Sequence, residues 1–256
     1  MMSPPDITVT VNFHCEGELV GPALASLSDL VNVARAGGVS VETQAVLDCA
    51  DEVTRHYVAL RGSWIDKVEE VSFGDLGLSR NAGARLANGR FLGFLDGDDL
   101  WGEHWLRAAF TAATTSPASP NAIWHPEYLL IFSESDFDKP TEASYQSFHS
   151  VMHSSDTPDF DPLLLVFHNL WSANAFASRE IHIRFPYRAA DRNRGFGIED
   201  WSWNMETLGA GLHHRVVPGT VHLIRKKRSE SLDQANQAHG LLPYLPVSFV
   251  WGQKWP

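Results

Sequence analysis

The chain has 256 residues, with 20 Lys and Arg against 31 Asp and Glu, for a formal net charge of −11. An acidic balance of that size argues against a general nucleic-acid binder, which carries a basic face. Hydrophobic residues make up 44% and charged residues 20%, as in a folded globular chain with a large core, and no run reaches the roughly 18 apolar residues of a membrane-spanning helix.

Ile7–Phe13 (ITVTVNF) is a strand by its β-branched content, and it ends in a polar turn, Asn12–Glu18. Leu19–Val33 carries Leu24, Leu27, Leu30 and Val31 at near-helical spacing and stops at Gly37-Gly38. Val39–Leu47 is a second strand, ending at Asp48, and Asp51–Leu60 is a helix. Trp64–Val71 is an ambiguous short strand region. Gly77–Ala87 starts a helix with small residues and leads through Gly89 into the strand Phe91–Leu95; Trp101–Thr115 is the next helix. This β-α-β-α-β-α order predicts a mostly parallel central sheet with helices on both faces.

After Thr115 the texture changes. Ser116–Asn121 is a Pro/Ser loop, and Ala122–Phe132 is a strand. Ser133–Pro162 is polar and turn-rich, a candidate lid or acceptor-side insertion. Leu163–Phe176 mixes apolar residues with His168, Asn169, Trp171 and Asn174; Gly195–Gly211 opens with a Gly-rich turn and becomes a helix through Leu208; Val216–Arg225 is another strand. No boundary divides the chain into two domains.

Cys15 and Cys49 lie within or beside strands and are expected to be buried free thiols in a reducing compartment. The N-terminus shows neither a basic n-region nor a long apolar segment, so no signal peptide is expected and a cytoplasmic location is.

The most informative stretch is Arg90–Trp101 (RFLGFLDGDDLW). An apolar run stops at three carboxylates, Asp96, Asp98 and Asp99. They sit at the carboxyl end of a buried strand, where open α/β sheets place ligands. Clustered carboxylates repel unless something positive lies between them. A hard divalent cation, Mg2+ or Mn2+, carrying a phosphorylated ligand, is the natural occupant. Two other D-x-D pairs, Asp136/Asp138 and Asp159/Asp161, have no strand before them and read as loop acids. The dinucleotide fingerprint, the P-loop and the G-x-S-x-G elbow are all absent.

Together these residues resemble the family 2 inverting glycosyltransferases of GT-A fold. The resemblance rests on Val11-Asn12-Phe13-His14 at the first strand end, Asp48 at the second, Ser79-Arg80-Asn81-Ala82-Gly83 continuing to Ala87 and Gly89, Asp96-Gly97-Asp98, the pair Glu199-Asp200, and the terminal segment His222 through Ser231. It covers most of Ile7–Leu232 and is looser between Pro117 and Asp191. It implies one GT-A domain over residues 1–256, with a nucleotide-binding half (1–115) and an acceptor and catalytic half (116–256).

The implied activity is metal-dependent, inverting transfer of a sugar from a nucleotide-diphosphate sugar, a UDP-sugar foremost, to a glycan or other hydroxyl acceptor. Bacterial surface polysaccharide or glycoconjugate synthesis is the implied setting, with peripheral membrane contact left open. On the same resemblance Asn12, Phe13, Asp48, Arg80, Asn81, Asp96, Gly97, Arg225 and Arg228 contact the donor. Asp98 and His222 hold Mn2+ or Mg2+. Asp200 is the base that takes the acceptor's proton, and Glu199 is the first alternative. The Trp201/Trp203 pair and Ser133–Pro162 are candidates for keeping water out. The rival readings are a sugar nucleotidyltransferase, disfavoured by the glycine-poor His14–Gly21 turn, and a non-catalytic sugar-nucleotide or glycan-binding module.

Overall fold

The computed structural model describes residues 3–133, 136, 147–227, 236 and 238–252. The first half supplies strands β1 (Ile7–Phe13), β2 (Val41–Asp48), β3 (Lys67–Val71), β4 (Phe91–Asp96) and β5 (Leu100–Trp101). Next come β6 (Ala122–Ser133), β7 (Phe148–Val151), β8 (Phe176–Ser178), β9 (Phe196–Gly197), β10 (His213–Lys226) and β11 (Leu242–Pro243). Among the described residues nine of these strands form one sheet in the order β3-β2-β1-β4-β8-β6-β10-β5, with β7 on β6; β9 and β11 pair separately. The helices are α1 (Val20–Ala36), α2 (Glu52–Arg61), α3 (Leu76–Leu86), α4 (Trp105–Thr115), α5 (Leu164–Phe167), α6 (Arg179–Arg184), α7 (Glu199–Gly209) and α8 (Val247–Gly252).

β1 shows why helices cover both faces. Its side chains alternate, and every residue is buried. Ile7, Val9, Val11 and Phe13 pack with Leu24, Leu27 and Leu30 of α1 and Trp105 and Leu106 of α4. Thr8, Thr10 and Asn12 fall on the opposite face, toward α3, and form side-chain hydrogen bonds there. Thr10 Oγ1 accepts from Gln44 Nε2 at 2.6 Å, and Asn12 Nδ2 donates to Ser79 Oγ at 2.7 Å. A side chain at Gly83 would meet Thr10 Cγ2 at 2.7 Å, so glycine lets α3 lie close on the sheet. β4 alternates in the same way, with Phe91 and Leu95 in the α1 core and Leu92 and Phe94 in the α3 and α7 core.

The mostly parallel sheet is inverted at its centre by β8, and β5 and β7 also run antiparallel to their neighbours. β3-β2-β1-β4 are parallel; β8 is antiparallel to both β4 and β6, through only three residues; and β6 and β10 are again parallel. β1, β2, β4, β6 and β10 therefore end at the same edge of the sheet. Asn12 pairs in register with Asp96 there.

Several expected boundaries move. The helix expected from Trp101 begins at Trp105, because Leu100 and Trp101 are drawn into β5 by Leu223 and His222 of β10. The ambiguous Trp64–Val71 region resolves as edge strand β3. β8 and α6 were not expected. Cys15 and Cys49 are exposed, not buried: both lie just past strand ends, in the turns of the carboxyl edge. Trp203, expected near a closing element, is instead core, stacked on His182 and Tyr187. Part of the expected lid, and Asp138 with it, lies outside the described residues. Among the described residues no helix is long and apolar enough to cross a membrane.

Candidate active site at the carboxyl edge of the sheet

The turn after β4 needs a glycine at its centre. A Cβ on Gly97 would lie 2.3 Å from Phe13 Cδ1 and 2.7 Å from Asn12 O. Beside this close packing against the end of β1, Asp96, Asp98 and Asp99 meet three different partners, Arg80, Lys227 and His222.

Asp96 accepts from Arg80 Nη2 at 2.7 Å. The other guanidinium nitrogen donates to Glu199 at 2.6 Å, so Arg80 joins two acids from distant parts of the chain. Arg80 itself is 1% exposed and lies over the Tyr187 ring. Burial opposes its charge, but Asp96 and Glu199 outweigh that and push its pKa up.

Asp98 pairs with Lys227 Nζ at 2.6 Å, and its backbone carbonyl accepts from Arg225 Nε at 3.0 Å. Burial works against the Lys227 ammonium, yet Asp98 more than compensates and raises its pKa. Asp99 is buried; one oxygen accepts from the Arg225 N–H, and the other contacts His222 Nε2 at 3.2 Å. That contact lacks hydrogen-bond alignment. Burial raises the Asp99 pKa to about 6 against the pull of His222. His222 Nδ1 lies 3.1 Å from Ser172 Oγ. The end of β10 thus straps the acidic turn. Arg228 lies outside the described residues.

Glu199 and Asp200 open α7. The residue before them, Ile198, has φ 55°, a left-handed conformation that costs a β-branched residue energy and is held only by its surroundings. Asp200 Oδ1 accepts from the Trp201 N–H at 2.8 Å, and Oδ2 accepts from Asn169 Nδ2 at 2.9 Å. Burial first, then the neighbouring Glu199 charge, raises the Asp200 pKa to about 7. A carboxylate with that pKa is matched to taking a proton near neutral pH.

Asp48 and Asn81 are occupied otherwise. Asp48 accepts three backbone N–H groups, from Phe73, Gly74 and Asp75, at 2.7–3.0 Å. Asp75 in turn caps α3 through the Leu78 N–H and accepts from the Ala190 N–H. Asn81 makes a two-way bond with the backbone of Tyr187, each arm 2.8 Å. Both side chains brace the loops around a cleft of about 390 Å³, which is lined by Phe73, Asp75, Ala190, Asn193, Ile198 and Glu199. A larger, more open groove of about 580 Å³ between α1 and α2 shares none of the site residues.

Sequence reasoning did not single out Glu16 or Asn169. Burial raises the Glu16 pKa to about 7; its carboxylate accepts from the His14 N–H and senses Asp98 and Lys227. Its signal was its place in the turn after β1, on the edge where the other acids gather. Lys227 was visible only as one member of a basic run. Asn169 was visible only as one polar residue of the mixed Leu163–Phe176 stretch, since its contact with Asp200 spans 31 residues.

The assembled edge sets three cationic groups, Arg80, Arg225 and Lys227, together with His222 against a line of acids, with a raised-pKa carboxylate at one end. Solved structures with the same architecture are glycosyltransferases. S. aureus TarS 1-349 in complex with UDP-GlcNAc matches at TM-score 0.56 and 16% identity, over 88% of this chain and 60% of that one. The mannosyltransferase PcManGT from Pyrobaculum calidifontis, solved with GDP-Man and Mn2+, matches at 0.58 and 16%, over 92% and 61%. Glucosyl-3-phosphoglycerate synthase from Mycobacterium tuberculosis, solved with Mn2+, UDP and phosphoglyceric acid, matches at 0.56 and 15%, over 92% and 75%.

The chain has the GT-A fold. It spans about 60% of the length of the TarS fragment. No protein-family model matches the sequence, and no curated protein matches it. At these identities the similarity is one of fold, and the reading of this chain's chemistry rests on its own side chains.

Proposed function

We propose that this chain transfers a sugar from a nucleotide-diphosphate sugar, a UDP-sugar foremost, to a hydroxyl of a glycan or other acceptor, with inversion at the anomeric carbon. The observation that carries the reading is the double ion pair of Arg80. It joins Asp96, on the D-x-D turn, to Glu199, which lies beside Asp200 and 119 residues along the chain from Arg80. Donor-side and acceptor-side chemistry thereby share one rigid cluster.

Glu199 is committed to Arg80, which leaves Asp200 to serve as base. In the proposed step the acceptor oxygen forms its bond to the anomeric carbon as its proton passes to Asp200. The bond from that carbon to the diphosphate breaks, and the electron pair leaves on the phosphate oxygen. Lys227 and Arg225 are the side chains that neutralise the departing charge. Asn12, Phe13 and Gly97 form the floor beneath it. Asp48 and Asn81 act at one remove, by holding the loops around the cleft.

A divalent cation fits this donor set as a shared ligand. Among the described residues no three His, Cys, Asp or Glu side chains converge on one point. One or two carboxylates completed by phosphate oxygens and water are nevertheless the usual setting of Mg2+ at phosphate-bearing substrates. Asp98 would hold Mn2+ or Mg2+, with His222 as second candidate, and the ion would add positive charge at the leaving diphosphate. Lys227 would then exchange Asp98 for a phosphate oxygen.

The test is thermal stabilisation by UDP and by GDP, with Mn2+ or with EDTA, in wild type and Asp98→Ala, alongside nucleotide release from UDP-glucose, UDP-GlcNAc and GDP-mannose. Stabilisation that needs Mn2+ and disappears in Asp98→Ala is expected. Equal nucleotide affinity in the variant would remove Asp98 from the site, and a retained product anomer would exclude the single displacement.

A further inference from the structure

The carboxylate of Asp200 has a partner whose orientation is itself fixed. Asn169 Nδ2 donates to Asp200 Oδ2 at 2.9 Å. The Asn169 carbonyl oxygen accepts from Asn204 Nδ2 at 2.9 Å, and Asn204 Nδ2 also donates to Trp171 O at 3.1 Å. Asn204 lies one turn along α7 from Asp200 and is 1% exposed. Flipping the Asn169 amide would set its NH2 against that of Asn204 and its oxygen against a carboxylate. The chain of bonds therefore allows one orientation, the one that presents N–H to Asp200.

The surroundings of Asp200 make this contact consequential. Glu199 on α7 and Asp96 on β4 disfavour its ionised form, and Arg80 on α3 favours it. The hydrogen bonds of Arg80 go to Asp96 and Glu199. The hydrogen bonds that Asp200 receives come from Asn169 on one oxygen and the Trp201 N–H on the other. Each oxygen thus keeps a lone pair while the carboxylate plane is fixed from both sides.

We propose that Asn169, oriented by Asn204, is a positioning residue for Asp200, holding its carboxylate in one plane and in the ionised form at neutral pH. The inference rests on the reading of Asp200 as the base. An N–H donor to a carboxylate favours the charged form, so losing it raises the pKa.

The experiment uses the full chain labelled with carboxyl-13C aspartate. The Asp200 resonance is assigned by its loss in Asp200→Asn and titrated in wild type, Asn169→Leu and Asn169→Asp. In Asn169→Leu the midpoint is expected to rise from about 7 by about one to two pH units, the worth of a hydrogen bond to a charged group. Asn169→Asp keeps the shape but replaces the donor with a like charge, so its midpoint rises further; it also carries the test if the leucine variant does not fold. In the nucleotide-release assay the acidic limb follows the midpoint, and kcat at pH 7 falls about tenfold or more, while the donor KM stays unchanged. An unmoved midpoint in both variants overturns the inference and leaves Asp200 as base. Near wild-type transfer by Asp200→Asn overturns the base assignment itself, and with it any catalytic meaning of Asn169.

Discussion

Replacing Arg80 by methionine is the most direct test of how the site is held together. The variant keeps the length of the side chain and removes its charge. Arg80 is 1% exposed, with contacts of 2.7 Å to Asp96 and 2.6 Å to Glu199. Removing one member of a buried ion pair costs about 3–5 kcal/mol, because the partner charge is left uncompensated. The Asp96 and Glu199 side chains are 27% and 13% exposed, so water reaches each in part and the lower end applies. The expected loss is therefore about 3 kcal/mol, or roughly 6–12 °C in Tm for a chain of this size. It also carries a pH signature. Arg80 favours the charged form of Asp200, so without the guanidinium the Asp200 pKa, already about 7 through burial and the Glu199 charge, rises further. The folded variant then holds a proton at pH values where the wild type has released it, and its deficit grows as pH rises through about 7. Urea denaturation at pH 5.5 and pH 8 measures both effects, and the deficit against wild type is expected to be larger at pH 8. A loss under about 1 kcal/mol, well below the cost of a broken buried pair, or a deficit independent of pH, refutes the view that Arg80 neutralises a shared acidic cluster.

Gly97→Ala places a methyl 2.3 Å from Phe13 Cδ1 and is expected to cost about 2 kcal/mol or more in urea denaturation, with loss of UDP-dependent thermal stabilisation. Asp48→Ala removes the acceptor of three backbone N–H groups; a destabilisation of about 2–4 kcal/mol is expected, and an unchanged urea midpoint would count against its bracing role. Burial lowers the His182 pKa to about 3 from 6.5. Below pH 6.5 the unfolded chain takes up a proton that the folded chain refuses, so this group's contribution to stability is lost as pH falls toward 3. His182→Phe keeps the stack on Trp203 and is expected to match wild type within about 1 kcal/mol at pH 7 while exceeding it by roughly 1–2 kcal/mol at pH 5.

The parts of the fold legible in the sequence were those set by local contrast. β1, β2 and β4 are apolar or β-branched runs that stop at polar residues, and those stops are the rim of the site. Asp51 and Asp75 cap the helices that follow them, so α2 and α3 lie within a residue of expectation. What was not legible is set by distant partners. Leu100-Trp101 is a strand only because Leu223 and His222 lie beside it. The three residues of β8 carry too short a pattern to stand out and gain their identity from β4 and β6. The same holds at the site. The family resemblance grouped Asp96, Asp98 and Asp200, whereas the bonding partners Lys227 and Asn169 are brought to them by the fold.

The placement of β8 bears on how the chain is made. β6 is complete at residue 133, but the strand that links it to β4 ends at residue 178. During synthesis β3-β2-β1-β4 can assemble as a parallel unit while β6 waits with an unpaired edge for some forty-five residues more of nascent chain. An exposed strand edge in a partly built sheet is where neighbouring chains join by mistake. Trp124 and Ile123, which this wait leaves uncovered, end buried in separate cores on the two faces of the finished sheet. The arrival of Phe176–Ser178 joins β6 to β4, and the sheet is complete only once β10 reaches the other edge of β6.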